Sequence, residues 1–506
     1  MPPAPEAARP PAAPDDPVER AAIAAAMTRG ATRGRLLEIL LEVRDAKGGS
    51  GISAPGLRAV ADRLGLFLSE AYEVATAFPA VNYATARPYA TGERCGDLVC
   101  ALIHGVGANG AGGTGPCRNR CDGERAAPAP RTFAAYRAAG GYAMAGRLMA
   151  EPATAAEMLG RIEAHQAVGR AGVGFPVAEK WRQVMAAGGT PVVIVNADEG
   201  ELAIFKDRFI LENEPHGVIE AALVAARTVG ADRVFLYVRD DYAPIHAILR
   251  RALEEVAAAG LAEGLALELR RSGGAFICGE ETALIASLEG RPARPAERPP
   301  FPTTHGYLGR PTLLHNVETF YRITAAWGGA PGAPAAAVLD PETRLYSVSG
   351  RVRAPGPKPV RHLARLADLV EIAGGMAEGH VLGGMVIGGS AGTLVTADAC
   401  RRPLTELLAD GLRLGTGGAI VLGATDDLRA VAARMAAYLA RESCGQCAPC
   451  RVGTAKAAQA LATPGALDRP LLDDLATVMG EASLCALGRN AGRFLGRLST
   501  LADPTP

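Results

Sequence analysis

Apolar positions change their spacing several times along the chain, and each change marks an element. From Arg35 onward, Leu36, Leu37, Ile39, Leu40, Leu41 and Val43 crowd one stretch and predict a helix. Ser53 followed by Pro55 predicts the cap and first turn of a second helix through Leu64, and Ser69 with Glu70 opens a third. These helices form a small all-α module to about residue 88. Ahead of it, residues 1–30 are rich in Pro and Ala, show no amphipathic period and read as a disordered leader. Residues 89–130 are loop-like and close on the linker Ala127-Pro128-Ala129-Pro130. Across 131–330, helix-period runs alternate with short apolar runs. Two of these, Pro191–Val195 and Val234–Val238, end in polar residues and predict buried parallel strands of an α/β domain. Gly, Pro and Ala at 329–337 mark the next boundary. Leu345–Val352 alternates with period two, then come the turn Ala354-Pro355-Gly356, a helix, and Gly-rich strands to about 423. From Asp426 the pattern is helical again. The expected divisions are 1–30, 31–130, 131–330, 331–425 and 426–506.

Length and charge narrow the function class. A chain of 506 residues exceeds a usual single domain. Lys+Arg and Asp+Glu are equal at 53 each, which excludes a generally basic nucleic-acid binder. No apolar run approaches the roughly 18 residues of a membrane span, and the start lacks the basic and apolar regions of a signal peptide. A cytoplasmic protein without direct membrane insertion is expected.

Cysteine carries the first chemistry. Eight of the ten fall into groups: Cys95/Cys100 with Cys117/Cys121, and Cys444/Cys447/Cys450 with Cys485 downstream. In a cytosolic chain such spacing points to metal or iron–sulfur ligation. Three thiolates at three-residue spacing converge where the backbone wraps a compact object, with Gly445 and Pro449 in the turn and a helix beginning near Gly453. A [4Fe–4S] cluster suits this set; zinc and unliganded core cysteines are the alternatives. The pairs Cys95/Cys100 and Cys117/Cys121 suit either a [2Fe–2S] cluster or a vestigial site, because the insert between them is mostly Gly, Ala and Asn. Its two G-x-G-x-x-G matches open no helix and are not read as dinucleotide sites. Cys278, in an apolar stretch, reads as core.

A second constellation sits in the α/β part. Gly169-Arg170-Ala171-Gly172-Val173-Gly174, followed by Phe175, Pro176 and a helix through Lys180, is either a tight turn or a loop that brings backbone N–H groups to an anion. Asn196, Asp198, Glu199 and Glu201 lie just past the PVVIV strand, where open parallel sheets bind ligands. Glu280 and Glu281 add acids after a Gly-rich turn at 273–274.

The runs GRAGVGFPVAEKW, NADEGELAIFKDRF, GGAFICGEETALIASLEGRPARP, HNVETF and ESCGQCAPCRVGT with SLCALG together resemble the NADH-binding flavoprotein subunit of respiratory complex I and its soluble relatives. The resemblance covers about 131–490. It implies an α/β FMN- and NADH-binding domain, a ubiquitin-like β-grasp module at 345–423 and a C-terminal helical iron–sulfur domain. Residues 35–123 resemble a truncated thioredoxin-like [2Fe–2S] module, and this fusion is most similar to the β (diaphorase) subunit of NAD-dependent formate dehydrogenase. Complex I and hydrogenase diaphorase subunits, and a degenerate iron–sulfur scaffold, are the alternatives. The activity implied is exchange of hydride between NAD(H) and FMN and of single electrons with a [4Fe–4S] cluster. An iron–sulfur/molybdopterin catalytic subunit is the implied partner. No protein side chain is implied as a catalytic acid or base.

Carried over by position, the resemblance places FMN phosphate on Gly169, Arg170, Gly172 and Gly174, and the rest of FMN on Asn196, Asp198, Glu199, Glu280 and Asn316. NADH contacts fall on Phe175, Lys180, Glu201 and Glu281. The [4Fe–4S] ligands are Cys444, Cys447, Cys450 and Cys485. Departures from the family pattern are Ala171 for glycine, Leu202-Ala203-Ile204 for Pro-Gly-Thr, His315 for asparagine and Phe276, also at the cofactor site, for tyrosine.

Overall fold

The computed structural model describes residues 16–81, 98–99, 102, 129–151, 154–169, 174–329, 335–389 and 392–498. Cys95, Cys100, Cys117 and Cys121, and likewise Arg170, Ala171 and Gly172, lie outside the described residues.

The apolar runs of the central region form a parallel sheet in the order β3-β2-β1-β4. Its strands are β1 (Val192–Ala197), β2 (Arg233–Val238), β3 (Ala266–Arg271) and β4 (Thr312–Asn316). Because side chains alternate across a strand, Val193 and Val195 of β1 and Val234 and Leu236 of β2 face one core, which is built with the buried helix Pro215–Val229. Val192, Ile194, Phe235 and Tyr237 face the other.

That second core is completed by the N-terminal helices α1 (Pro17–Thr28), α2 (Leu36–Ala46), α3 (Ala54–Leu64) and α4 (Leu68–Ala77). The helical module is therefore the second layer of the sheet. Phe78 wedges under Gly273, where an added Cβ would lie 2.0 Å from the ring. Arg44 pairs with Asp240 at 2.8 Å, and Arg270 pairs with Glu38. The leader expectation is corrected here: α1 starts at Pro17, inside the range read as disordered. Asp16 caps it by accepting from the Val18 N–H at 2.9 Å. Its apolar face is only Ala22, Ile23 and Ala26, too small to stand out as a period, and Glu19 is buried against Lys47 at 2.9 Å.

The period-two stretch opens a second sheet, with strands β5 (Arg344–Gly350), β6 (Gly356–Val360), β7 (Leu382–Ile387), β8 (Thr393–Thr396) and β9 (Gly418–Gly423) in the order β6-β5-β9-β7-β8. β5 and β9 run parallel, and the other pairings are antiparallel. One face of this sheet (Val386, Leu394, Ile420, Leu422) shares a core with the helices Leu428–Arg441, Ala448–Ala462, Arg469–Ala482 and Ala486–Leu498. Leu202, Ala203 and Phe205, just past β1, enter the same core, so the strand-tip segment packs against both the second sheet and the C-terminal helices. The chain is thus multidomain: an N-terminal helical region, a central α/β region, and a C-terminal region of mixed sheet and helices.

Ala203 is buried at φ 59°, in the left-handed region that a Cβ disfavours by about 1–2 kcal/mol. Ala203→Gly is expected to raise stability by about 0.5–1 kcal/mol, after the entropy cost of glycine in the unfolded chain. A denaturant midpoint equal to or below the parent's would contradict this.

Candidate functional site

Strand tips build the first half of the site. In the parallel register Asn196 of β1 faces Asn316 of β4, so both amides lie at the carboxyl edge of the sheet. Asn196 Nδ2 donates to Gly279 O at 2.9 Å, and its Oδ1 accepts from the Asp198 N–H at 3.1 Å. A Cβ at Gly279 would lie 2.8 Å from Asp198 O, so the turn after β1 and the turn carrying Gly279 are in direct backbone contact.

Asp198 differs from its neighbours. Both carboxylate oxygens are buried without a hydrogen-bond partner among the described residues. Burial pushes its carboxyl up to about 7, against the pull of Arg239, 3.8 Å away, and of Ser272. Orphaned acceptors of this kind are costly and call for an absent partner. Glu199, by contrast, is engaged: it accepts from the N–H groups of Asp207 at 2.9 Å and Arg208 at 3.2 Å. Burial and the adjacent Asp207 carboxylate raise its pKa. Asn316 caps the helix Val317–Ile323 and accepts from Lys206 Nζ at 2.9 Å. Glu280 caps the helix Glu281–Leu288, accepting from the Thr282 and Ala283 N–H groups at 2.9 Å each, and pairs with Arg298.

The glycine loop has a fixed neck. Gly169 N–H donates to Phe175 O at 2.8 Å, and Val177 N–H to Ala167 O at 2.9 Å, so residues 169–175 leave and return at one point. Gly174 sits at φ +71° with nothing within 4 Å of an added Cβ. The helix Val177–Ala186 starts directly at the neck and presents its positive end there. Lys180 Nζ donates to Glu281 Oε1 and to Leu314 O, each at 2.8 Å. Phe175 is exposed. His315 is buried and accepts from Trp181 Nε1 at 3.0 Å, and burial with Lys180 nearby holds it neutral. Glu201 turns toward the second sheet, where Thr416 Oγ1 donates to it at 2.5 Å.

The second half is the cysteine pocket. Cys444, Cys447, Cys450 and Cys485 line one pocket with Ile277, Pro295 and Leu487. Cys447 is the N-cap of the helix Ala448–Ala462, and Pro449 lies in its first turn. This corrects the expected start near Gly453: Pro449 begins the helix instead of sitting in the turn before it. Cys447 and Cys450 therefore lie at the start of that helix, and burial raises the Cys485 thiol against the pull of the Leu487 and Gly488 N–H groups. Burial and the neighbouring sulfurs push Cys450 up to about 12, so four thiolates need a cationic partner between them. Among the described residues no three His, Cys, Asp or Glu side chains could hold a single metal ion. Four thiols around one pocket supply the four ligands that a [4Fe–4S] cluster takes. Cys278 is fully buried, as expected of core, and burial raises its thiol far above the ordinary range.

Polar groups gathered at the strand tips and a pocket lined by four thiols point to a class: a flavin- and iron–sulfur-dependent oxidoreductase. Residues 162–325 match the family described as Nuo51 FMN-binding domain, and residues 430–501 match the NADH-ubiquinone oxidoreductase-F iron-sulfur binding region. An F-type subunit of the NADH-quinone oxidoreductase of Rhizobium meliloti is 33% identical over 344 residues, covering 64% of this chain and 80% of that protein. Its counterpart in Aquifex aeolicus is 35% identical over 347 residues, covering 65% of this chain and 80% of that protein. Among solved structures, a chain of an NAD+-reducing [NiFe]-hydrogenase in the H2-reduced state superposes with TM-score 0.75 at 29% identity, covering 92% of each chain. The chain belongs to the family of F-type subunits of NADH-quinone oxidoreductase. It is an NADH-dependent oxidoreductase of diaphorase type that uses FMN and a [4Fe–4S] cluster. Among the described residues no helix is long and apolar enough to cross a membrane.

Sequence reasoning missed Tyr438, Glu442 and Thr416, which join modules far apart in the chain. The only local signal was the spacing of Tyr438 and Glu442 one helical turn apart, just ahead of Cys444.

Proposed function

We propose that this chain is the nucleotide-facing component of a multisubunit oxidoreductase, passing electrons between NAD(H) and a metal centre on another polypeptide. The observation that carries the flavin half is the buried Asp198 carboxylate at the tip of β1, whose only near cation, Arg239, stays 3.8 Å away and leaves both oxygens short of a hydrogen bond among the described residues. When bound, FMN joins two-electron nicotinamide chemistry to the one-electron chemistry of the iron–sulfur cluster.

The residues divide by what they do. Backbone N–H groups of Arg170, Gly172 and Gly174, with the positive end of the helix after them, bind the phosphate, while Gly169 closes the neck of the loop through its N–H to Phe175 O. Asn196, Asp198, Glu199, Glu280 and Asn316 shape the rest of the FMN pocket. Glu199, Glu280 and Asn316 act mainly by fixing backbone, as their own hydrogen bonds indicate. Asp198, with its pKa near neutrality, holds or releases a proton as the bound partner requires. Phe175, Lys180, Glu201, Phe276 and Glu281 line the approach for NADH, and the Lys180–Glu281 pair orients both heads. Cys444, Cys447, Cys450 and Cys485 hold the cluster.

For the partner, a hydrogenase chain matched along nearly its whole length supports a complex I-like or hydrogenase-type diaphorase over the formate dehydrogenase reading. The expectation of a molybdopterin partner has no comparable support. Domain limits of 131–330, 331–425 and 426–506 stay with this proposal. So does a β-grasp identity for the second sheet, supported by its central parallel pair β5/β9 flanked by antiparallel strands. The thioredoxin-like module and its [2Fe–2S] centre at Cys95, Cys100, Cys117 and Cys121 rest on the sequence alone.

Co-purification from the native source tests the partner. Nickel in the largest co-purifying chain is the expected result for a hydrogenase-type assembly. Molybdenum or tungsten there would restore the formate dehydrogenase reading.

A further inference from the structure

Two side chains that belong to neither cofactor site tie the two sites together. Tyr438 and Glu442 lie one turn apart at the C-terminal end of the helix Leu428–Arg441, and Cys444 follows Glu442 by two residues. Tyr438, itself buried, donates its hydroxyl to Gly200 O at 2.6 Å and so holds the turn that carries Asp198 and Glu199. Glu442 Oε2 accepts from the Phe276 N–H at 2.9 Å and so holds the short helix Phe276–Gly279. Ile277 of that helix lines the cysteine pocket, and Gly279 O accepts from Asn196 on the strand tip. The two held segments also touch each other, since a Cβ on Gly200 would lie 2.8 Å from Phe276 Cα. The contacts close a ring: strand tip, turn, helix, cysteine loop, short helix, strand tip.

We propose that Tyr438 and Glu442 are positioning residues for electron transfer between the flavin and the cluster. They hold the flavin turn and the cysteine loop at a fixed separation; the inference rests on the flavin and cluster assignments made above. Transfer between two buried centres falls steeply with distance, so whatever fixes their separation sets its rate. NADH gives up two electrons and one proton in becoming NAD+. The electrons leave singly through the cysteine-bound cluster to a one-electron acceptor, and the proton goes to solvent. Neither Tyr438 nor Glu442 exchanges a proton or an electron in this scheme.

The test uses the full chain loaded with FMN and iron–sulfur, mixed anaerobically with NADH, with flavin bleaching and cluster reduction followed separately. Tyr438→Phe removes only the hydroxyl, Glu442→Ala removes the acceptor, and Glu442→Gln keeps one. Flavin bleaching, FMN and iron content, and the midpoint potentials of both centres are expected to stay at parental values. Cluster reduction is expected to slow measurably in Tyr438→Phe and in Glu442→Ala, further in the double variant, and to recover in Glu442→Gln. In the cofactor-free chain, hydrogen exchange at the Gly200–Glu201 and Phe276–Ile277 amides is expected to quicken in the same variants. Cluster reduction at the parental rate in the double variant, or equal slowing of both steps, overturns the inference while leaving the function intact. A parental chain in which NADH reduces neither centre overturns the function and the inference together.

Discussion

Replacing Cys450 by alanine is expected to remove the iron of the C-terminal pocket altogether, with the low-temperature EPR signal of the reduced cluster, while FMN content holds. Cys450 lies in the first turn of the helix Ala448–Ala462 and is nearly fully buried, and Ser443 Oγ, 3.3 Å from its sulfur, offers only a neutral hydroxyl, a far poorer iron ligand than a thiolate. Its Cβ is 2.9 Å from where a Cβ on Gly488 would sit, which leaves no room for the loop after Cys485 to move across. Three thiolates then face an open iron corner, and a four-iron cluster held by three of its four cysteines is readily lost. The flavin half hangs on a separate set of residues at the sheet edge and is untouched. Iron analysis beside flavin absorbance reads both. Iron retained at the parental level in the alanine variant would remove Cys450 from the ligand set.

Asp198→Asn is expected to do two opposite things. In the cofactor-free chain the folded state holds the Asp198 proton up to about pH 7, whereas the ordinary carboxyl value is 3.8. Between these values the folded state binds more protons than the unfolded one, so the contribution of this group to stability falls as pH rises, and stays low above 7. Asparagine has no proton to lose and removes the slope. The stripped variant is therefore expected to gain on the parent as pH rises from about 4.5, and to exceed it by roughly 1–3 kcal/mol at about pH 8, the usual cost of a buried unsatisfied polar group. Loaded with FMN the order reverses. A hydrogen bond to a charged group is worth about 1.5–3 kcal/mol, so flavin affinity is expected to fall by roughly 10- to 100-fold. Denaturant melts at the two pH values and a flavin titration check both halves. Unchanged affinity, or a variant that keeps the parental pH slope, would show that Asp198 faces no ligand.

Much of this site is legible in the amino-acid pattern. The short apolar runs at 191–195 and 234–238 become adjacent parallel strands because only a two-sided burial tolerates so unbroken an apolar run. The polar tail from Asn196 to Glu201 then has to fall at their carboxyl edge. The cysteine group is legible because thiolate spacing is local. Three things are not. α1 hides in an Ala-rich leader because its buried face is built mostly from methyl groups. The N-terminal module reads as a separate unit, yet it is the second layer of the sheet. Its attachment lies in pairs such as Arg44 with Asp240 and Phe78 with Gly273, which no local pattern links. Glu280 and Asn316 carry the polarity expected of ligands, but much of their hydrogen bonding goes to helix N-termini, a use that depends on where the helices begin.

The central claim is that NADH, a flavin at the strand tips and a cluster in the cysteine pocket form one electron path through this chain. An anaerobic NADH titration of the full chain, reconstituted with FMN, iron and sulfide, measures this directly. The expected result is bleaching of the flavin band, together with the EPR signal of a reduced [4Fe–4S] centre that is absent before NADH is added. A chain that binds both cofactors in stoichiometric amount, yet shows neither change with excess NADH, would contradict the account.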